Sequence, residues 1–268
     1  MLALFKLSSK KVIIPLLVIA SLANIAGAQA PKAKKNINIV FIGNSITYGA
    51  NLADPQIQAP PVVTCQYLRQ QPGIGDVAFA NQGHSGFTTV DFLPKTGKPF
   101  ADVEEAAVDF SDPKALLIFS IKLGTNDSAM EGPNGAPVSP DEYKSNLKII
   151  IDSLLKEFPS SIVVLQRPIW YSPNTYNGAK YLQQGLARLQ SYFPKLDELI
   201  KEYAASKPTR VYAGDQDAFV YFKKHFLTDL TPEQGHQGTF YLHPNTHGAA
   251  ALGNFWGKAI YKAISSRM

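Results

Sequence analysis

The sequence predicts an α/β protein in which helices cover both faces of a parallel sheet. Short apolar runs, typical of strands that are buried on both faces, alternate along the chain with amphipathic helical patterns. Glycine-rich polar segments follow several of these runs. This alternation is typical of repeated strand–helix–strand units, and it favours a parallel sheet. The predicted strands are 37–42, 77–80, 115–121, 161–166 and 210–213.

The helical patterns lie between and after these strands. The clearest one starts at Ser139, where an N-cap serine, a proline and two acidic residues open the pattern. Leu147, Ile150 and Leu154 then recur at helical spacing and form one apolar face. Pro194 predicts a break in another long pattern. The predicted helices are 61–71, 103–110, 139–158, 180–206 and 249–265, and the region 86–113 around the second is otherwise a long loop.

The first thirty residues are typical of a secretory signal. Lys6, Lys10 and Lys11 precede an apolar stretch, 12–26, that is too short to span a bilayer comfortably, and small residues follow it. We therefore expect export to the periplasm or the medium, with no stable membrane insertion once the signal is removed. The alternative is an uncleaved membrane anchor.

Two positions fit the cleavage rule, after Ala28 and after Ala30. Pro31 disfavours the second because it would directly follow the cut. The predicted organisation is therefore a signal over 1–28, a short linker over 29–35, and one domain over 36–268.

The charge of the chain gives no indication of a nucleic-acid partner. The formal net charge is +5, but three of the lysines lie in the predicted signal, so the mature chain carries +2. No basic stripe remains that would bind phosphates. The single cysteine, Cys65, excludes an internal disulfide.

Four polar segments lie where an α/β fold exposes reactive groups. Ser45 follows the first predicted strand, Gly86 the second and Asn126 the third, while His243 precedes the last helix. Ligands of parallel sheets bind at the carboxyl ends of the strands, so these segments are expected to converge.

The residue types in these segments suit ester cleavage. A serine nucleophile needs a base within reach and hydrogen-bond donors directed at the developing oxyanion. Ser45 can be the nucleophile and His243 the base. The backbone N–H groups of Ser45 and Gly86, together with the side-chain amide of Asn126, can form the oxyanion hole.

The sequence resembles the SGNH, or GDSL-like, hydrolases, whose four blocks supply Ser, Gly, Asn and His in this order. Ser45, Gly86, Asn126 and His243 match those positions, and the resemblance covers residues 37 to about 262. It implies a three-layer α/β/α sandwich with a mostly parallel, flavodoxin-like, five-stranded sheet. It also implies an esterase that needs no metal or other cofactor. The Gly-x-Ser-x-Gly string of the α/β-hydrolases is absent around Ser45.

One departure from the family concerns the acid that orients the histidine. The family has an aspartate three residues before the histidine, and Phe240 occupies that position here. Glu233, Asp229 or a backbone carbonyl could replace it, or the site could be a Ser–His dyad. Loss of the aspartate could also mean loss of hydrolytic activity.

The resulting functional hypothesis is a secreted esterase that removes a short acyl group, with acetyl as the expected one, from a carbohydrate. Its partner would be a small-molecule or polysaccharide ester. Trp170 and Tyr171 follow the fourth strand and are expected at the rim of the site, where they could contact the substrate or pack in the core. The alternatives are a lipase or thioesterase of the same fold and an inactive glycan-binding homologue. His243 and His247 are four residues apart, but they lack the glutamate of a zinc motif, so no metal site is predicted.

Overall fold

The central sheet consists of five parallel strands in the order β2-β1-β3-β4-β5, the flavodoxin-like order. The structure, a computed structural model, describes residues 2–3 and 34–267. Apart from residues 2–3, the predicted signal lies outside the described residues, as does most of the linker. The parallel sheet expected from the apolar runs is confirmed. Its strands are β1 (Lys35–Gly43), β2 (Ile74–Gly83), β3 (Leu116–Lys122), β4 (Ile162–Leu165) and β5 (Val211–Ala213).

Helices flank this sheet and complete the three-layer α/β/α sandwich. The first two, each a single turn, are α1 (Ser45–Tyr48) and α2 (Pro55–Gln58). The longer ones are α3 (Pro60–Arg69), α4 (Lys98–Val108), α5 (Pro140–Glu157), α6 (Leu182–Ser206), α7 (Ala218–Asp229) and α8 (Thr246–Ile264). Helix α3 packs on α8, and α5 packs on α6. None of the helices in the described part of the chain is both long and apolar enough to cross a membrane.

Helix α6 corrects one prediction, because Pro194 lies inside it and does not end it. An interior proline costs roughly 3 kcal/mol through a lost hydrogen bond and a steric clash. The helix buries Leu189, Leu196 and Leu199 against the core, and each fully buried leucine contributes roughly 1.5–3 kcal/mol. Packing on both sides of the proline therefore outweighs its cost.

The sequence analysis missed a β-hairpin and the helix before it. Strands β6 (Leu230–Gly235) and β7 (Gly238–Pro244) pair antiparallel, directly after α7. Gly238, with φ of 80°, supplies the left-handed backbone that the tight turn needs. Polar side chains of β6 alternate between exposed and half-buried positions, so this strand has no apolar pattern. The hairpin matters for the site because it carries both Glu233 and His243.

The register of the central strands brings three loops to the same level. Gly43 pairs with Gly83 on one side and with Lys122 on the other. A Cβ at Gly43 would collide with the side chain of Thr47, which lies in α1. The absent side chain therefore lets the chain after β1 fold tightly back over the strand end.

Candidate active site

Ser45 stands at the first position of α1, immediately after β1. Asn44 caps this short helix, and its Oδ1 accepts a hydrogen bond from the N–H of Ile46 at 3.1 Å. The first N–H groups of a helix have no acceptor within the helix. The N–H of Ser45 is one of these, so it can serve an external acceptor.

The structure brings His243 to Ser45. His243 lies near the end of β7, and its Nε2 is 2.9 Å from Ser45 Oγ. The next element is α8, capped by Asn245, whose side chain accepts from the N–H of Gly248 at 3.0 Å. The imidazole is therefore held between a paired strand and a capped helix.

Glu233 stands behind this histidine. Its Oε1 is 2.9 Å from His243 Nδ1 and also accepts from the backbone N–H of His243 at 3.3 Å. Because a carboxylate only accepts hydrogen bonds, the proton of the neutral ring belongs on Nδ1. Nε2 is then free to accept the proton of Ser45, which is the arrangement that a general base needs.

The carboxyl of Glu233 is kept ionised by its partners. Burial alone would raise the pKa of Glu233, but hydrogen bonds from His243, the charge of His243 and a hydrogen bond from Asn51 hold it below its ordinary value. Asn51 also lies close to the ring, with Nδ2 3.3 Å from His243 Nδ1. Its φ of 70° is left-handed, a conformation that asparagine adopts more readily than most residues. The sequence analysis gave no role to Asn51.

Glu233 occupies the place left by the missing aspartate through the pairing of the hairpin. It lies directly opposite Phe240 across β6 and β7. Side chains at paired positions of an antiparallel ladder are about 5 Å apart on the same face, so a carboxylate on β6 reaches the same region as one on β7. Phe240 itself is buried in the core. The carboxylate that contacts His243 therefore comes from β6, in place of the aspartate expected at position 240.

The other acid considered from the sequence serves a different histidine. Asp229 Oδ1 lies 2.9 Å from Nδ1 of His247, whose side chain is exposed. Asp229 is itself buried, and its backbone carbonyl accepts from the N–H of Asn245. The structure thus pairs Asp229 with His247, away from the His243 ring that it was considered to orient.

Two hydrogen bonds set the orientation of the Asn126 side chain. Its Nδ2 donates to the carbonyl of Phe87 at 2.8 Å, and its Oδ1 accepts from the hydroxyl of Tyr181 at 2.7 Å. These partners identify the amide nitrogen and leave one of its two N–H groups for another acceptor. Tyr181 was not among the predicted site residues, since nothing in its local sequence relates it to Asn126, 55 positions away.

Ser45, Gly86, Asn126 and His243 line one cleft of about 400 Å³. Gly86 has a φ of 85°, and a Cβ added there would meet no atom within 4 Å. The backbone can therefore approach a bound group closely. Within residues 34–267, no Asp, Glu, Lys or Arg side chain lines this cleft, whose other lining residues are Ala50, Ser85, Gly132, Pro133, Asn177, Gly178, Ala179, Tyr181 and Leu242.

One wall of the cleft is formed by two loops that meet as a small β-bridge. Glu131 and Lys180 pair there, and the N–H of Lys180 donates to the carbonyl of Glu131 at 3.0 Å. Their side chains form a salt bridge of 3.0 Å at the surface. We call residues 131–133 and 177–180 the bridged wall.

Trp170 and Tyr171 do not form the rim of this cleft, so that prediction is wrong. Both are buried, and the hydroxyl of Tyr171 is hydrogen-bonded to Ser128 Oγ at 2.9 Å. Trp170 packs on Phe226 of α7 at 5.2 Å between ring centroids. Helix α7, which the sequence analysis missed, covers these side chains and makes them part of the core.

Comparison with known proteins supplies the family. The family model of the GDSL-like lipase/acylhydrolase family matches residues 41–251. The chain belongs to this family. The match contains all four segments singled out above and extends through most of the described residues. A search of curated proteins found no match.

Solved structures share the fold at low sequence identity. A member of the lipolytic G-D-S-L family from Veillonella parvula matches with a TM-score of 0.52 and 17% identity, over 84% of this chain and 98% of that one. Axe2, an acetylxylan esterase from Geobacillus stearothermophilus solved as a catalytic mutant, matches with a TM-score of 0.53 and 18% identity, over 87% of this chain and 96% of that one. A two-domain esterase active on acetylated mannans matches with a TM-score of 0.54 and 16% identity, over 86% of this chain but only 50% of that one. At these identities the likeness concerns the fold alone.

The contact between Glu233 and His243 makes a direct prediction. Glu233→Gln keeps the size of the side chain but allows the wrong tautomer of His243. We expect kcat for an aryl ester to fall by roughly a hundred- to ten-thousandfold, as in triads that lose their acid. Asp229→Asn, the matched control beside His247, should keep kcat within about threefold. Equal losses in the two variants, measured by steady-state kinetics, would contradict the assignment of Glu233.

Tyr181 is predicted to act through Asn126. Tyr181→Phe removes one hydrogen bond worth about 1 kcal/mol, so kcat should fall about fivefold if that bond holds the amide in place. Tyr192→Phe is the control, because the buried Tyr192 donates a bond of the same 2.7 Å length to the Val138 carbonyl, and neither residue lines the cleft. Both variants should lose similar stability in urea unfolding. A fall in kcat in the control as large as that in Tyr181→Phe would contradict the prediction, because the loss of kcat would then follow from lower stability alone.

Proposed function

We propose that this protein is a serine esterase that hydrolyses short-chain esters, with acetyl as the preferred acyl group. The observation that carries the proposal is the continuous chain of contacts from Ser45 through His243 to Glu233, at 2.9 Å for each step, with Ser45 and His243 lining a cleft. The family supports ester chemistry, since its members are lipases and acylhydrolases.

The first half of the reaction forms an acyl-enzyme. Ser45 Oγ attacks the carbonyl carbon of the ester while its proton passes to Nε2 of His243. Glu233 stabilises the imidazolium that results, by accepting from its Nδ1–H. The carbonyl oxygen becomes an oxyanion, which accepts from the N–H groups of Ser45 and Gly86 and from the Asn126 amide. His243 then returns its proton to the alkoxide of the alcohol, and the C–O bond breaks.

The second half releases the acid. Water attacks the acyl carbon and gives a proton to His243 Nε2. The second tetrahedral intermediate collapses, and the proton passes to Ser45 Oγ. The products are one carboxylic acid and one alcohol, and the free enzyme is restored. In a comparable oxyanion hole, a side-chain amide donor lowers the activation free energy by roughly 3–4 kcal/mol.

The lining of the cleft supports a short acyl group and a neutral alcohol. Most of its residues are glycine, alanine, serine, asparagine or proline, and Leu242 is the largest aliphatic side chain among them. Such a surface offers little apolar area to a long acyl chain. Apart from His243, the described residues of this lining have no acidic or basic side chain, which is compatible with an uncharged alcohol such as a sugar hydroxyl.

A carbohydrate substrate is the finer part of the proposal. It is supported by the export expected from the N-terminal sequence and by the fold shared with esterases described as active on acetylated mannans and on acetylxylan. Trp170 and Tyr171 no longer contribute to this argument, because both are buried.

The acyl preference is tested with a series of p-nitrophenyl esters. We expect kcat/KM to be highest for the acetate and to fall through the butyrate to the octanoate. Ser45→Ala should reduce kcat by roughly a millionfold, to the residual rate that the oxyanion hole and substrate binding still support, with an unchanged unfolding midpoint as the control for folding. A preference for the octanoate would support a lipase instead.

Mass spectrometry of acetylated xylo- and mannooligosaccharides would then test the carbohydrate part. We expect loss of acetyl groups with the wild type and none with Ser45→Ala. Activity on the aryl acetate without any deacetylation of oligosaccharides would contradict the carbohydrate substrate and still support an esterase.

We also propose that residues 1–28 are a cleaved export signal. Expression of the full chain in a Gram-negative host should yield periplasmic protein whose first residue is Gln29, as read by intact mass and N-terminal sequencing. A variant with Lys6, Lys10 and Lys11 replaced by glutamate should remain in the cytoplasm at full length, because the signal needs its positive n-region. Full-length protein in the membrane fraction would instead support an uncleaved anchor.

A further inference from the structure

Lys122 is a buried lysine that the proposed reaction does not use. It is the last residue of β3, and only 1% of its surface is exposed. Lysine is almost never fully buried unless its ammonium has partners. Burial lowers the pKa of Lys122 to about 7, against the opposing charge of Asp127. Such a residue calls for an explanation from its contacts.

Its contacts join the two loops that carry the oxyanion donors. Lys122 Nζ lies 3.2 Å from Thr125 Oγ1 and 3.5 Å from Asn44 Oδ1. Thr125 directly precedes Asn126, and Asn44 directly precedes Ser45. Both partners are buried, so their hydrogen bonds are shielded from water. One ammonium therefore connects the residues adjacent to two of the three proposed donors.

The backbone places Lys122 for this task. It pairs with Gly43 across β1 and β3, so its side chain starts at the level where both strands end. Asn44 also caps α1 through the same Oδ1 that faces Lys122. A shift of Asn44 would therefore move the start of the helix that holds Ser45.

The nearby carboxylate has its own hydrogen bonds. Asp127 acts on Lys122 through its charge, while its Oδ1 accepts from the backbone N–H and the hydroxyl of Thr89. Burial raises the pKa of Asp127 to about 6. Lys122 therefore has two effects, hydrogen bonds to the two loops and a positive charge opposite Asp127. Removing the charge of Asp127 together with that of Lys122 separates them.

We propose that Lys122 is a positioning residue, which sets the distance between the Ser45 N–H and the Asn126 amide by hydrogen-bonding Asn44 and Thr125. This inference rests on the proposed function, because it concerns the oxyanion hole of that reaction. Donors must be held within about 0.5 Å of the productive geometry. A misplacement of about 1 Å can cost roughly a hundredfold in rate.

The test compares Lys122→Met with the wild type and with Lys122→Met/Asp127→Asn. Methionine keeps much of the length and removes the donors. Asparagine at position 127 removes the unbalanced charge but keeps an oxygen for Thr89. We expect kcat on p-nitrophenyl acetate to fall by about 10- to 100-fold in both variants, with KM within about threefold. The double variant should recover stability in urea unfolding without recovering kcat.

Gln166→Met is the matched control. Gln166 is buried directly after β4, and it hydrogen-bonds Ser120 Oγ at 3.2 Å and the N–H of Asp215 at 2.6 Å. It should lose stability but keep kcat. The inference is overturned if kcat returns with stability in the double variant, or if Gln166→Met loses as much kcat as Lys122→Met.

A second measurement does not depend on activity. In ¹H–¹⁵N correlation spectra, Lys122→Met should shift the amide signal of Ser45 and the side-chain NH₂ signals of Asn126, and Gln166→Met should leave them in place. Unshifted signals would overturn the inference even in an active enzyme. If the wild type hydrolyses no ester but the shifts occur, the proposed function fails and the link between the two loops stands.

Discussion

The register of the three neighbouring strands β2, β1 and β3 is the constraint on which the site depends. Gly43 pairs with Gly83 and with Lys122, so the three chains leave the sheet at one level. Parallel strands with a common end place their following loops side by side. A slip of one residue would turn every side chain of a strand to the opposite face and disrupt its packing against the helices on both faces of the sheet. The burial of β1 on both faces thus also determines where Ser45 stands.

The acid and the base come from outside this sheet, on a hairpin of their own. His243 and Glu233 lie on the two paired strands of that hairpin, so their mutual distance depends on local pairing rather than on the central sheet. In the proposed reaction, the loops of the sheet supply the nucleophile and the oxyanion donors, and the hairpin supplies the proton acceptor with its orienting acid. The contact between Ser45 and His243 joins these two units at the candidate site.

Most of the sheet and four of the site residues could be predicted from the sequence, because their signals are local. Strands buried on both faces read as apolar runs, and Ser45, Gly86 and Asn126 follow them directly. Glu233 could only be considered among alternatives, since its contact with His243 arises from a polar hairpin without an apolar period. The burial of Trp170 could not be foreseen either, because it depends on packing against α7, a helix distant in sequence. Pro194 is a further example, because the burial of leucines on both sides of it outweighs the cost of a proline inside a helix.

The bridged wall has a consequence for how this enzyme class can diversify. None of the three residues in the Ser45–His243–Glu233 relay lies on it, and its two loops are joined by a backbone bridge and one solvent-exposed salt bridge. An exposed ion pair contributes at most about 1 kcal/mol, so this wall is held far less firmly than the sheet. Residues 131–133 and 177–180 can therefore be lengthened or exchanged to admit a larger alcohol while the relay stays intact. In the proposed function, the shape of the cleft and the Ser45–His243–Glu233 contacts are thus set by different parts of the chain.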